Sequence, residues 1–285
     1  MKITLSQFAG FCDGVRRAFD IVNNLDEAKT KKPVFVLGSL VHNQDVVDRI
    51  EEKGIRKIDM QKFLDAEPGE IGTLIITAHG VGPQIYETAK EKNIELIDTT
   101  CPRVIKVQRL AQLYVKKGYS IVLVGDKDHK EVRSIFEWGG EKAAIVSDED
   151  DLARLNLGQT EKIIILSQTT QSKDFLELVH SRLRERYPSV EIMDTICLTT
   201  DQRQDEIKKL AAENEAVVVI GGKESANSNR LFEIAKSINE KTVFIERVDQ
   251  LEDSFLQGAQ SVAVTAGAST PDWIIEGVMK RLERL

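Results

Sequence analysis

The strongest constraint on the fold is the alternation of short β-branched apolar runs with amphipathic helical stretches. Six apolar runs of strand length occur, at residues 34–37, 74–77, 121–124, 163–166, 217–220 and 262–265. Strands that alternate with helices pair in parallel, because each helix carries the chain back to the same end of the sheet. The sequence therefore predicts an α/β protein with parallel sheets.

A second regularity starts from the three cysteines. Cys12, Cys101 and Cys197 are separated by 89 and 96 residues, and two of them end the similar segments DTTC and DTIC. Each cysteine follows a strand-like segment and opens a predicted helix. A strand ending in glycine comes 24 to 26 residues later, and a third strand then ends in a polar loop. The glycines are Gly38, Gly125 and Gly221, and the polar loops begin near His79, Ser167 and Ala266.

This spacing predicts three similar small α/β units, residues 1–97, 98–193 and 194–285. In open α/β sheets, ligands bind at the loops that follow the carboxyl ends of the strands. If the units are arranged around a pseudo-threefold axis, as in a trefoil, these loops and the three cysteines meet at the centre. The alternative is an ordinary doubly wound protein in which the cysteines are incidental.

The placement of the cysteines favours binding of an inorganic group. Helix N-termini carry unpaired amide groups and the positive end of the helix dipole, and both stabilise a thiolate. Structural zinc sites have ligands two to four residues apart, unlike these distant cysteines. Three converging thiolates suit an iron-sulfur cluster with one iron left open, while a catalytic zinc ion is the second candidate.

Charge and hydropathy argue against several other classes. The formal net charge is -7, and no basic block is long enough to form a nucleic-acid-binding stripe. No apolar run approaches the ~18 residues of a membrane span, and the alternating pattern of residues 1–8 predicts a strand rather than an export signal. An odd number of distant cysteines argues against a disulfide framework. We therefore expect a cytoplasmic protein with no nucleic-acid or membrane partner.

Nine motifs in a fixed order make the sequence more specific. They are FCDGVRRA (11–18), VHN (41–43), AHGV (78–81), DTTCP (98–102), DKDHKEV (126–132), SQTT (167–170), DTIC (194–197), SANS (225–228) and TAGASTP (265–271). This ordered set closely resembles the IspH/LytB family of 4-hydroxy-3-methylbut-2-enyl diphosphate reductases. The resemblance spans essentially the whole chain and is far more specific than any single motif.

The resemblance implies an oxidoreductase of the non-mevalonate route of isoprene biosynthesis. The family removes the allylic hydroxyl of its diphosphate substrate, which gives isopentenyl and dimethylallyl diphosphate. By resemblance, Cys12, Cys101 and Cys197 hold a [4Fe-4S] cluster whose fourth iron binds the substrate hydroxyl. Electrons would come singly from reduced ferredoxin or flavodoxin, which fits a chain without a recognisable dinucleotide fingerprint. The resemblance also implies the trefoil-like arrangement.

The resemblance assigns the remaining site residues too. The substrate-binding positions lie at predicted strand ends and are His42, His79, His129, Thr169, Ser225, Ala226, Asn227 and Ser269. Imidazoles that carry charge near neutral pH suit a diphosphate. Glu131 is the acid expected to deliver a proton, with Thr169 orienting it and His129 beside it. A proton is needed because loss of water from carbon requires protonation of the leaving oxygen.

Three positions depart from the family pattern. Ala226 stands where a second serine is common, so one hydroxyl is missing from the phosphate set. Glu224 stands where asparagine is usual, and a carboxylate near a diphosphate is repulsive unless it turns away or pairs with Lys223 or Arg230. Lys130 replaces a proline and adds a positive charge. We expect these changes to affect substrate affinity and to leave the cysteines untouched.

Two hypotheses from other classes are open at this point. The first is a non-catalytic phosphate- or nucleotide-binding α/β module with incidental cysteines. The second is a zinc hydrolase that uses Glu131 as its base and the histidines as metal ligands. Iron and acid-labile sulfide are expected only for the reductase, so metal analysis distinguishes the three.

Overall fold

The computed structural model describes residues 1–158 and 162–284. The strands in this part of the chain are β1 (Lys2–Leu5), β2 (Val34–Leu37), β3 (Arg56–Ile58), β4 (Thr73–Ile76), β5 (Glu95–Asp98), β6 (Ser120–Val124), β7 (Ala143–Val146), β8 (Ile163–Ser167), β9 (Val190–Ile192), β10 (Ala216–Ile220), β11 (Thr242–Ile245) and β12 (Ser261–Ala266). The α-helices are α1 (Asp13–Asn23), α2 (Gln44–Glu51), α3 (Met60–Asp65), α4 (Pro83–Glu91), α5 (Pro102–Lys116), α6 (Lys130–Gly139), α7 (Glu149–Arg154), α8 (Lys173–Arg186), α9 (Leu198–Glu213), α10 (Ala226–Ile238) and α11 (Asp272–Leu282). Short 3₁₀ helices cover Gly140–Lys142, Val248–Gln250 and Asp253–Leu256. Among these described helices, none is both long and apolar enough to cross a membrane.

The strands form three four-stranded parallel sheets that repeat one plan. Their strand orders are β3-β2-β4-β5, β7-β6-β8-β9 and β11-β10-β12-β1. In each sheet, two inner strands are flanked on one side by the strand that lies between them in sequence. On the other side lies an outer strand that leads to a cysteine. The predicted fold class, an α/β protein with three similar parallel-sheet units, is confirmed.

The inner strands are buried, which explains why they were visible in the sequence. Every residue of β4, β8 and β10 is buried, and β10 has the sequence AVVVI. Helices cover both faces of a parallel sheet, so its inner strands become continuous apolar runs. Full burial of one Val or Ile side chain contributes ~1.5–3 kcal/mol. The six predicted runs correspond to the inner strands β2, β4, β6, β8, β10 and β12.

Three outer strands, β3, β7 and β11, were not predicted from the sequence. In β3 two of the three residues, Arg56 and Lys57, are exposed. In β7 only Val146 is fully buried, and β11 is short and half-buried. An outer strand pairs on one side only, so it does not need the continuous apolar sequence of an inner one.

The N-terminal strand β1 pairs with a strand from the other end of the chain. β1 lies beside β12, with Ile3 opposite Val262 and Leu5 opposite Val264. The first predicted unit therefore gives its first strand to the sheet of the third predicted unit. The unit boundaries at residues 97 and 193 stay a prediction.

The chain divides into two compact units. The first comprises Met1–Phe19, Ser39–Lys53 and Leu198–Leu285 and contains the sheet β11-β10-β12-β1. Its core has two parts that receive alternate residues of β10, so the sheet is covered on both faces. The second comprises Asp20–Gly38 and Gly54–Cys197 and contains the other two sheets. In this unit β6 likewise contributes alternate residues to two cores.

Candidate active site

The three cysteines occupy equivalent positions relative to their sheets. Each follows an outer strand and immediately precedes a helix, α1, α5 or α9. The backbone N–H of each cysteine donates to the carbonyl two residues beyond the end of the neighbouring inner strand. These bonds join Cys12 to Ala268 (3.2 Å), Cys101 to Ala78 (3.0 Å) and Cys197 to Thr169 (2.8 Å). The repeat found in the sequence is therefore also a repeat of backbone hydrogen bonding.

The similar segments DTTC and DTIC have a structural role. Thr99 Oγ1 donates to the carbonyl of Ile76 at 2.5 Å, and Thr195 Oγ1 donates to the carbonyl of Ser167 at 3.0 Å. Both acceptors are the last residues of inner strands. In each copy the preceding aspartate accepts the second N–H after it, as in an Asx turn. The motif thus fixes the backbone that leads into each of these two cysteines.

The donor set fits an iron-sulfur cluster. All three cysteines are thiols at intermediate burial rather than disulfides. Each stands at the N-terminus of a helix of 11 to 16 residues. Thiolates are the usual ligands of a [4Fe-4S] cluster, and three of them leave one iron open.

Glu131 and Thr169 form a buried pair in the second unit. Glu131 is the second residue of α6 and is only 4% exposed. The backbone N–H of Thr169 donates to Glu131 Oε1 at 2.6 Å, and Thr169 Oγ1 bonds to Oε2 at 3.0 Å. The same residue Thr169 accepts the Cys197 N–H through its carbonyl. The acid is therefore held directly beside a cysteine loop.

Burial of Glu131 changes its acidity. Loss of water raises the pKa of this carboxyl above its ordinary 4.5, and the two hydrogen bonds from Thr169 offset part of that rise. A carboxylic acid with a raised pKa keeps a proton nearer to neutral pH and is suited to general acid catalysis.

His129 and His79 lie together near this acid. His129 caps α6, since its Nδ1 accepts the Glu131 N–H at 3.2 Å. A ring nitrogen that accepts in this way carries no proton, so the proton of a neutral His129 lies on Nε2. The His79 ring meets the His129 ring edge-on, with centroids 5.2 Å apart. The second unit therefore brings His79, His129, Glu131 and Thr169 into one region.

Two buried polar residues that the sequence analysis missed support His79. Ser134 Oγ donates to the His79 carbonyl at 3.0 Å, and Gln108 Nε2 donates to Ser134 Oγ at 3.2 Å. Gly80 has φ +73°, and a Cβ there would overlap the Gln108 side chain. A polar residue on the buried face of an amphipathic helix is the signal that could have identified Gln108.

In the first unit, His42 is fixed through its backbone. Ser269 Oγ donates to the His42 carbonyl at 3.2 Å. The same carbonyl lies so close to Gly222 that a Cβ on this glycine would overlap it. Asn43 then caps α2 by accepting the Val46 N–H at 3.3 Å. The loops after β10 and β12 thus converge on the His42 segment.

The N-terminus of α10 presents the SANS motif. Ser225 caps the helix, and Ser228 Oγ donates to Ser225 Oγ at 3.0 Å. Asn227 is buried, and its Nδ2 has no hydrogen-bond partner among the described residues. A buried amide donor without a partner is costly unless a ligand accepts from it. Together with the free amides of a helix start, it forms an anion-binding arrangement.

Glu224 turns away from this helix start. Its side chain is 86% exposed, and Oε2 lies 3.7 Å from Nδ1 of His42. Arg230, one of the two cations considered as its partner, has its Nη1 3.2 Å from Glu233 instead. Glu224 therefore lies beside a member of the predicted substrate-binding set.

Arg203 was also missed by the sequence analysis. It is buried on α9 and donates to the carbonyls of Ala266 (2.9 Å) and Gly10 (2.7 Å). These bonds tie the segment before Cys12 to the end of β12. Its position on the apolar face of α9, with Ile207 and Leu210, was the available signal.

A family model described as LytB protein matches residues 3–283. The chain belongs to the LytB family. The 4-hydroxy-3-methylbut-2-enyl diphosphate reductase of Alkaliphilus oremlandii is 38% identical to it, and the alignment covers 100% of both chains. Predicted membership in the family is thereby confirmed.

Two solved structures of reductases are similar to this chain over its whole length. One is described as (E)-4-hydroxy-3-methyl-but-2-enyl diphosphate reductase, the terminal enzyme of the non-mevalonate pathway; it is 34% identical, with a TM-score of 0.74 and 100% of both chains covered. The other is the E-1-hydroxy-2-methyl-but-2-enyl-4-diphosphate reductase of Plasmodium falciparum. It is 30% identical, with a TM-score of 0.87 over 100% of this chain and 87% of that one.

Proposed function

We propose that this protein is a 4-hydroxy-3-methylbut-2-enyl diphosphate reductase of isoprene biosynthesis. It removes the allylic hydroxyl of that substrate to give isopentenyl and dimethylallyl diphosphate. The observation that carries the proposal is the identical placement of three cysteines, each at a helix start and each bonded to the loop after an inner strand. Full-length similarity to reductases of this name supports the same activity.

Cys12, Cys101 and Cys197 would hold a [4Fe-4S] cluster. When bound, the cluster supplies single electrons and a Lewis-acidic iron for the substrate hydroxyl. The three sulfurs would bind iron as thiolates, which are the usual ligands of such clusters. The N–H bonds of the cysteines hold their backbone against the inner strands, so each sulfur starts from a fixed position.

Glu131 delivers the proton that the leaving hydroxyl needs. Burial favours its neutral form, and Thr169 fixes both carboxyl oxygens. The Thr169 hydroxyl donates to Oε2 at 3.0 Å and so orients the carboxyl group. His129 sits at the start of the same helix and keeps a donor on Nε2. Protonation of the oxygen turns hydroxide, a poor leaving group, into water.

The diphosphate is bound by short donors from several loops. The α10 N-terminus offers its free amides and the buried Nδ2 of Asn227, with Ser225 and Ser269 adding hydroxyls. At position 226 only the backbone N–H contributes, because alanine has no hydroxyl. The imidazoles of His42, His79 and His129 complete the set with donors that can carry positive charge.

Electrons arrive singly from a reduced ferredoxin or flavodoxin, and the reaction takes place in the cytoplasm. Reduction of the substrate consumes two electrons and two protons and releases one water. The donor must therefore bind and leave twice for each product formed.

Metal analysis after oxygen-free purification tests the proposal. The expected result is a brown protein with iron and acid-labile sulfide, and turnover with a chemical one-electron donor. Cys101→Ser should lose colour and turnover while its far-ultraviolet circular dichroism stays that of wild type. Zinc without sulfide would favour the hydrolase. A colourless, metal-free protein that binds diphosphate would favour the non-catalytic module.

A further inference from the structure

Helix α5 differs in charge from every other described α-helix. Its sequence PRVIKVQRLAQLYVK contains Arg103, Lys106, Arg109 and Lys116 and no acidic residue. Each of the other ten α-helices in the described residues contains at least one Asp or Glu. The four cations are exposed, and none forms an ion pair with a described residue. This is an uncompensated basic surface on a chain whose net charge is -7.

The same helix exposes apolar side chains between its cations. A shallow depression of about 380 Å³ lies along this helix. The residues that line it, which we call the α5 face, are Pro102, Ile105, Lys106, Arg109, Leu110 and Leu113. Leu113 is 44% exposed. Apolar residues interleaved with Arg and Lys, and unpaired within the chain, have the composition of a protein-binding surface rather than of an ordinary helix exterior.

The other two helices that begin at cysteines provide a comparison. In α1, two arginines are balanced by Asp13 and Asp20. In α9, four acidic residues outnumber three basic ones, and Lys208 pairs with Asp205 at 3.3 Å. A helix start at a cysteine therefore does not require a basic helix. The charge of α5 needs a separate explanation.

Position along the helix links the α5 face to the cysteine. Helix α5 starts at Pro102, directly after Cys101. At a rise of 1.5 Å per residue, Ile105 and Lys106 lie only about 6–8 Å along the axis from Cys101. A molecule seated on the α5 face is thus close to a proposed ligand of the cluster.

We propose that the α5 face is the docking surface for the protein that supplies the electrons, an acidic one-electron carrier with its redox group near its surface. The inference rests on the proposed function. An acidic carrier is repelled by a chain of net charge -7, so it needs a local basic surface to bind. At each docking the carrier loses one electron to the reductase and leaves, and two dockings supply the two electrons of one turnover.

The test compares two double charge reversals. Lys106→Glu/Arg109→Glu changes the α5 face, and Lys208→Glu/Lys209→Glu makes the same change in net charge on exposed residues of α9. Binding of a flavodoxin is measured by calorimetry, and turnover is measured with reduced flavodoxin and with dithionite-reduced viologen. The α5 variant should bind flavodoxin about tenfold or more weakly than wild type does, and its KM for flavodoxin should rise by a similar factor, with wild-type turnover on viologen. The α9 variant should match wild type in every assay.

The outcomes separate the two proposals. Unchanged flavodoxin affinity in the α5 variant, or equal weakening in the α9 variant, overturns the docking surface even if viologen turnover is normal. Absence of viologen turnover in wild type overturns the proposed function, while the calorimetric comparison still decides the surface. If the α5 variant alone loses viologen turnover, two milder variants, Leu113→Ala and Lys106→Gln/Arg109→Gln, take its place. If both of these bind flavodoxin as tightly as wild type does, the proposed docking surface is overturned. Binding of a single-stranded oligonucleotide through α5, without flavodoxin binding, also overturns it.

Discussion

Glu131 and Glu224 are two carboxylates of the candidate site in opposite surroundings. Glu131 is 4% exposed and receives two hydrogen bonds from one threonine. The Glu224 side chain is 86% exposed, and its Oε2 lies 3.7 Å from Nδ1 of His42. Burial raises the pKa of Glu131, whereas the charge of Glu224 is screened by water. Surroundings, rather than residue type, therefore suit one carboxylate to donating a proton and leave the other as a surface charge.

The largest effect is expected for Glu131→Gln. The amide keeps the shape and the Thr169 contacts but has no acidic proton, so kcat with a chemical electron donor should fall by about 10²–10⁴-fold. Iron content and the visible spectrum should not change, because no cysteine is altered. Glu137→Gln, on the same helix but exposed, is the control and should turn over normally. Normal turnover in Glu131→Gln would remove this acid from the mechanism.

Thr169→Val should have a smaller effect. It deletes the hydroxyl bonded to Glu131 Oε2 and keeps the backbone N–H bond. Loss of one hydrogen bond to an ionisable group costs ~1.5 kcal/mol, or about tenfold in kcat. Thr169→Ser retains the hydroxyl and should stay near wild type. Equal losses in both variants would mean that packing of the methyl group, and not the hydroxyl, matters.

Glu224→Asn should act on substrate affinity alone. Removal of an exposed negative charge near His42 should lower KM for the diphosphate by about two- to threefold at low salt, and the gain should vanish at high salt. Initial rates at two ionic strengths measure this. Glu240→Asn removes an exposed charge beyond the end of α10 and serves as control. A higher KM in Glu224→Asn would instead indicate that its pairing with His42 assists binding.

The smallest effect is expected on stability. The pKa of Glu131 is raised in the folded state, so its contribution is fully present below the ordinary value of 4.5 and is lost as pH rises through the folded-state pKa. Glu131→Gln has no charge to bury, so its Tm should exceed that of wild type by a few degrees at neutral to alkaline pH. The gap should close as pH falls toward 4.5. A gap that is constant with pH would contradict burial of a titrating acid.

The sequence predicted those strands in which burial requires a continuous run of apolar residues. The inner strands were predicted because both of their faces are covered, and β2 begins and ends at the predicted residues. The strand β3, by contrast, exposes Arg56 and Lys57, and an outer strand of three residues leaves no periodic signal. Pairing of β1 with β12 joins opposite ends of the chain, which local periodicity cannot report.

In the candidate site, too, the sequence did not predict contacts between residues that are distant along the chain. Motif order identified Glu131 and Thr169, but not that both oxygens of the acid are bonded by one threonine. Arg203 and Gln108 are long polar side chains on buried helix faces. Arg203 donates to backbone carbonyls distant in sequence, and Gln108 donates to the Val81 carbonyl at 3.4 Å as well as to Ser134. Carbonyl acceptors are present at every residue, so sequence alone does not reveal which of them such a side chain will reach.

The most direct test of the account is a Mössbauer spectrum of oxygen-free, iron-enriched protein with and without the diphosphate substrate. If three cysteines hold one cluster, the spectrum is that of a [4Fe-4S] centre in which a single iron changes its signal when the substrate is added. Four equivalent irons whose signals do not change when the substrate is added, or a protein that binds no iron at all, would contradict a shared cluster held by the three cysteines.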